Sequence, residues 1–404
     1  MASPRSNLSP EEIFSATGMS PGSPILSSLR SQATWSLLDI DDQLVNHNAA
    51  LVSRQDHLVT FGGVMGKRTA CWVSLVLGFS LMGGKAFSGD KVKVGLLPLV
   101  SSAPIFVAVE EGFFREEGVN VELKFFQAAQ PIATAMAAGE VDVGATGLTA
   151  GLYNALASGL DAKIVADKGR EWPGYKLSGI VVSTREWERG VRSIEDLSGR
   201  RIGVTQIGST FHYMLGNILE RHSMDLSQVK LVPLGGLKSL VEALSGGQLE
   251  AIFVAQPFCT QAESAGVGKV ILWAGEELKY QIAAIFMSGG LLKKRDMAKA
   301  FLRAYIRGCR VYYDGCLVRD SNGRPLKAEA FSRVLGQIAK YTGLSPEQVV
   351  LDLSYNDRDG ELMWDDIPRQ INWYRAHGML TKDLDPQSIL DRSLWEEAKK
   401  EVGP

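Results

Sequence analysis

Gly95 and Gly139 stand 44 residues apart, and so do Gly203 and Gly247. A shift of 108 positions carries the first pair onto the second, and with it Ser101 onto Ser209, Ser102 onto Thr210 and Asp142 onto Glu250. Each spaced unit reads as strand, helix, strand, helix, strand. In the first, 91–97 (KVKVGLL) is a strand, and a helix over 104–111 starts on Pro104 and stops at Gly112. Val119, Val121 and Leu123 alternate as a second strand; 132–138 is a helix closed by Gly139, and 141–145 is the third strand. In the second unit, 201–205 is a strand. Phe211, Met214, Leu215, Ile218 and Leu219 make one apolar helix face over 211–221. A strand over 229–234, a helix ended by Gly246-Gly247 and a strand over 249–254 complete it. A tandem pair of this kind predicts an α/β protein of two lobes, each a mainly parallel sheet flanked by helices.

The crossings between lobes are expected near 183–188 and 276–281. That makes 90–185 plus 277–404 lobe one and 186–276 lobe two, with 281–288 returning as a strand and 296–313 as a long helix. The helix near 367–376 and the tail over 393–400 are expected to brace lobe one or the back of the hinge.

Ahead of the repeat, Lys67 and Arg68 precede an apolar run over 70–82, and Ala86-Phe87-Ser88 offers a small-x-small cleavage site. The run is too short to span a bilayer comfortably, so 65–88 reads as a secretory signal peptide and Gly89 as the mature N-terminus, in the periplasm. Residues 1–64, rich in Ser, Asn and Gln, are excluded from the fold as a non-native or disordered leader. Cys71 stands at the start of the apolar run, not at its end, and is no lipoprotein anchor.

A formal net charge of −2 and the lack of a basic stripe give no case for nucleic acid. Four cysteines without a CxxC pair and five scattered histidines give no local metal motif, and no cofactor is expected. Cys309 and Cys316 could pair in an oxidising compartment or stay as two thiols.

Ligands of open parallel sheets sit beyond the carboxyl ends of the strands. There the two units carry Ser101 and Ser102, and Ser209 and Thr210, at the N-termini of helices, where free N–H groups suit an anion. The same hydroxyls also serve as ordinary helix caps, and both roles stay open. The third strands end at Thr146-Gly147 and at Gln256; Gly147 allows close backbone approach and Gln256 can donate and accept. Lys168 and Trp172, in a loop after the strand over 162–167, offer a counter-charge and a stacking wall, or a solvated surface. The sequence 356–360 (NDRDG) has its glycine out of step with a calcium loop and reads as a turn.

The runs AVEEGFFREEGV (108–119), AAGEVDVG (137–144), SIEDLSGRRIGV (193–204) and GGQLEA (246–251) resemble the periplasmic substrate-binding proteins of nitrate, sulfonate and taurine ABC importers, including the thiamine-pyrimidine-type members. The resemblance runs from about Val92 to Glu277 and resumes at the C-terminal tail. It implies a type II periplasmic-binding fold and a small ligand clamped between lobes: an organic anion, sulfonate, nitrate or pyrimidine. It also implies a monomer that serves a membrane permease without catalysis. By analogy the pocket positions are Ser101, Ser102, Thr146, Ser209, Thr210 and Gln256. A ligand-sensing subunit would share these features. An enzymatic branch, the fungal thiamine-pyrimidine synthases, carries an iron-binding cysteine cluster; this chain has only Cys259 in that region.

Overall fold

The computed structural model describes residues 91–404 apart from Asn322; the expected leader and signal peptide lie outside them. Ten strands form two five-stranded sheets. The first has the order β2-β1-β3-β10-β4, from β1 (Lys91–Leu96), β2 (Asn120–Phe125), β3 (Val143–Gly147), β4 (Ala162–Glu171) and β10 (Tyr280–Ser288). The second has the order β7-β6-β8-β5-β9, from β5 (Ser178–Ser183), β6 (Arg201–Val204), β7 (Lys230–Pro233), β8 (Ala251–Ala255) and β9 (Gly268–Trp273). In each sheet the first three strands pair in parallel and the fourth in order, β10 or β5, runs against both neighbours. That antiparallel strand is the one that enters directly from the other lobe. The longer helices are α1 (Ala103–Glu110), α2 (Gln130–Ala137), α3 (Ala150–Ala157), α4 (Thr210–Arg221), α5 (Leu237–Ser245), α6 (Phe258–Ser264), α7 (Arg295–Tyr312), α8 (Phe331–Thr342), α9 (Asp366–Ala376) and α10 (Arg392–Val402).

The repeat in the sequence is a repeat of contacts. A Cβ on Gly95 would meet Ile132 at 3.0 Å and Val141 at 3.2 Å; one on Gly203 would meet Leu240 at 2.7 Å and Leu249 at 2.6 Å. The two sets are related by the same shift. In both lobes glycine is needed so that the following helix and strand can press against the centre of the first strand. The acids do matching work: Lys93 N donates to Asp142 Oδ2 at 2.8 Å, and Arg201 N to Glu250 Oε2 at 2.9 Å.

Two boundaries differ from the sequence expectation. The first crossing lies at 172–177, before β5, so Ser178–Ser183 belongs to lobe two although a start at 186 leaves it in lobe one. All six of its residues are buried. A continuous apolar run reports burial on both faces but not which sheet supplies it. The strand expected over 162–167 continues as β4 to Glu171, which takes Lys168 out of a loop and into the sheet. The return crossing lies between Trp273 and Tyr280.

Helix α7 packs on α1 and α10 behind sheet one. Helix α9 spans both lobes. Gln370 accepts from Tyr153 Oη at 2.9 Å in lobe one, while Trp373 lies against Gly216 in lobe two, where a Cβ would fall 2.3 Å from its ring. Tyr374 Oη donates to Leu148 O at 3.4 Å and Ser209 O at 3.2 Å, one carbonyl from each lobe. Cys309 and Cys316 are free, buried thiols. In the 356–360 turn, Asp357 Oδ1 accepts from the N–H groups of Asp359 and Glu361.

Candidate functional site

Residues just past the strand ends of both sheets line an inter-lobe cavity of about 70 Å³, room for several waters or a compact ligand. The repeat recurs in its wall: Ser101 and Ser209, Leu97 and Thr205, and Ala129 and Leu237 are pairs related by the same shift. Of the described residues that line it, Lys168 alone is charged.

Lys168 is 4% exposed, and its Nζ donates to Ser101 Oγ at 3.0 Å. Burial pulls its pKa down to about 7, with partial opposition from the Asp167 carboxylate. Asp167 does not close an ion pair with it. Its oxygens accept instead from Gly169 N at 2.8 Å, Asp357 N at 2.7 Å and the Gln281 amide. The cavity therefore holds an ammonium group with one neutral partner and an open side. The remaining polar wall is the Gln206 amide and hydroxyls. Thr146, Thr205 and Thr210 are buried residues whose hydroxyls make no hydrogen bond among the described residues. The other wall is apolar, formed by Leu97, Leu99, Leu177, Phe211, Leu237 and Ile282.

Lobe two presents its loop through a helix N-terminus. Ser209 caps α4, accepting from His212 N at 3.3 Å, and the His212 Nδ1 accepts from Gly208 N at 3.0 Å. Burial pushes His212 down to about 4, so the ring stays neutral and keeps that lone pair for the loop. Gly208 has φ +78°, a left-handed conformation, and its carbonyl accepts from Ala150 N of lobe one at 2.9 Å. That bond ties the lobes together beside the cavity residues Thr149 and Ser209.

Of the positions singled out in the sequence, Ser101, Thr146, Gly147, Lys168, Ser209 and Thr210 come together around the cavity. Three do not. Ser102 lies in a 3-10 turn that rotates it inward, where its Oγ donates to Leu97 O at 2.9 Å and caps no helix. Gln256 turns to Thr260, whose N and Oγ1 donate to its Oε1 at 3.1 Å and 2.9 Å. Trp172 stacks on Tyr355 with centroids 5.0 Å apart, under the Lys279 ammonium. Thr205, Leu97 and Leu237 were not among the expected site residues, although the repeat itself maps Leu97 onto Thr205 and Ala129 onto Leu237.

The two roles of the lobe-two hydroxyls separate by substitution. Ser209→Ala is expected to lower stability by about 1 kcal/mol through the lost cap. Thr210→Val keeps shape and leaves stability near that of the parent, but weakens ligand binding. Denaturant titration and calorimetry on the two variants check this.

Residues 86–315, more than half of the chain, match the model of the NMT1-like family. The chain is 24% identical over 241 residues to a protein of Bacillus subtilis named as the binding protein YtlA, covering 58% of this chain and 70% of that one. Over 236 residues it is 23% identical to a protein of Brachyspira hyodysenteriae named as an ABC transporter periplasmic binding protein, covering 56% and 67%. Among solved structures, the alkanesulfonate-binding protein SsuA of Xanthomonas axonopodis pv. citri, bound to MOPS, superposes with a TM-score of 0.62 at 18% identity, covering 75% of this chain and 99% of that one. The fold is thus the two-lobed periplasmic-binding type, and the chain belongs to the NMT1-like family.

Proposed function

We propose that this protein is the extracytoplasmic solute-binding component of an ABC-type importer, closing two lobes on a small organic anion. The observation that carries the reading is Lys168, a buried ammonium with an open side in a cavity built from both lobes. A buried charge with only a neutral partner is costly, and an anion is the ligand that relieves it. The hydroxyls of Ser101, Thr146, Ser209 and Thr210 supply donors around the same space, as the binding of a carboxylate or sulfonate requires. The relatives named as binding proteins support the transport role. In this reading the chain is exported by residues 65–88, matured at Gly89 and handed as a monomer to a membrane permease. In the same reading it binds its ligand without turnover.

A thermal-shift screen of organic carboxylates, sulfonates, nitrate and pyrimidines tests the reading. An organic anion at a hundred times its Kd is expected to add about 2.7 kcal/mol of stability. Stabilisation by neutral pyrimidines alone would contradict it.

Lobe closure makes a separate expectation. A Cβ on Gly208 would sit 2.8 Å from the Ala150 Cβ, at the point where the lobes meet. Gly208→Ala is expected to hold the cleft ajar and weaken binding by roughly tenfold or more. The left-handed φ adds about 1 kcal/mol of lost stability. Small-angle scattering of the variant with saturating ligand should show less compaction than the parent.

A further inference from the structure

Glu171 stands where both crossings leave sheet one. It is the last residue of β4, and its register partner across the sheet, Tyr280, is the first of β10. The crossings touch there: a Cβ on Gly275 would fall 2.6 Å from Trp172 O. The Glu171 side chain is fully buried, and neither carboxyl oxygen has a hydrogen-bond partner among the described residues. Lobe two covers it with Ser178, the first residue of β5, and Cys259 of α6; the Ser178 hydroxyl is likewise buried without a partner. Nearby charges are engaged elsewhere. Arg170 reaches Asp167 at 3.6 Å and Asp357 at 3.7 Å, and the Lys279 ammonium lies over the Trp172 ring. Tyr280 and Cys259, the titratable side chains beside it, are both held neutral by burial. Beyond Cys259, Asp352 and Glu263 accept from Thr260 Oγ1 and Val270 N, and beyond Tyr280, Asp366 accepts from Gln281 N.

We infer that Glu171 is a proton-operated lock on the hinge: as a neutral acid it lets the lobes close over it, and as a carboxylate it drives them apart. A neutral acid sits in such a place at modest cost, whereas a buried carboxylate without a partner is strongly unfavourable. Parting the crossings is the movement that brings water to it. In the conformation described here burial pushes its pKa up to about 8, against 4.5 for a free glutamate, with partial opposition from the Ser178 hydroxyl and N–H. Opened to water, the group ionises at lower pH than when covered, so rising pH favours the open form. The opening constant should grow by up to about tenfold per pH unit between those two values and level off near 8. Nothing in this lock depends on which solute the cavity takes.

Small-angle scattering of the ligand-free protein at pH 5.5, 7 and 8.5 tests the lock. The parent should expand as pH rises. Glu171→Gln should remain as compact at pH 8.5 as the parent is at pH 5.5, and Glu171→Leu, a second neutral variant, should behave alike if the first does not fold. Lys168 titrates in the same window but with the opposite sign, because closing over an ammonium becomes easier as it loses its proton. Lys168→Met should therefore expand at least as much as the parent. Dimensions of the parent that ignore pH overturn the inference. So does expansion that persists in the neutral Glu171 variants or disappears in Lys168→Met.

Discussion

Replacing Lys168 with methionine is expected to weaken binding of an organic anion by roughly ten- to a hundredfold while raising the stability of the ligand-free protein. The affinity loss follows from removing a charge-assisted hydrogen bond, worth about 1.5–3 kcal/mol. The stability gain follows from the depressed pKa. The folded state holds the Lys168 ammonium in a poorly solvated place, with its pKa at about 7 against 10.5 for a free lysine. The unfolded chain then binds more protons between those values. The destabilisation is therefore full below about pH 7 and fades as pH rises towards 10.5. Methionine fills similar space without a charge, so the variant should be more stable by on the order of a few kcal/mol at pH 6, with the gain lost near pH 10. Denaturant titration at the two pH values checks the stability arm, and calorimetry checks the affinity arm. A variant that loses affinity and stability together would make Lys168 a packing residue.

The same lysine should make binding proton-linked. With its pKa at about 7 in the free protein, Lys168 is charged at pH 6 and mostly neutral at pH 9. An anion beside it stabilises the charged form, so the complex holds the proton to higher pH than the free protein does. Affinity is thus highest below about pH 7. It falls by roughly tenfold per unit above it, until the raised pKa of the complex is reached. A sulfonate stays ionised over this whole range and is the clean probe. Calorimetry of hexanesulfonate in buffers of different ionisation heat should show proton uptake at pH 8 and almost none at pH 5.5. Asp167 adjoins Lys168, and burial raises its pKa; Glu171, three residues along β4, is pushed by burial up to about 8 and titrates in the same window. Lys168→Met separates them, because proton uptake that survives in the variant belongs to the acids.

The two lobes were legible because their signal is geometric at the level of residue type. Gly95 and Gly203 each admit a close helix and strand, and Asp142 and Glu250 each hold the backbone of the first strand, so evenly spaced residues fixed a shared topology. The switch of Ser178–Ser183 into the second sheet was not legible, since full burial does not identify the partner strand. Within the site, the position of a loop could be read but not the direction of each side chain. Ser101 and Ser102 are adjacent, yet one 3-10 turn sends the first to Lys168 and the second back to Leu97 O. Trp172 found its stacking partner, Tyr355, far along the chain, where no local pattern pairs them. Lys168 looked like a surface lysine because Gly169-Arg170-Glu171 reads as the start of a loop. Gly169, at φ +146°, instead sits beside a register irregularity that lets β4 continue. The helix over 367–376 was expected to brace lobe one or the back of the hinge, but no local pattern tells that the Tyr374 hydroxyl of α9 meets the Leu148 and Ser209 carbonyls, from different lobes, at once.

Binding of an acid group at Lys168 between the lobes would be visible in a crystal structure grown with hexanesulfonate. Sulfonate oxygens are expected within about 3 Å of Lys168 Nζ and within reach of the Ser101 and Thr210 hydroxyls. Sulfonate bound away from this cavity, with Lys168 still bonded only to Ser101, would contradict it.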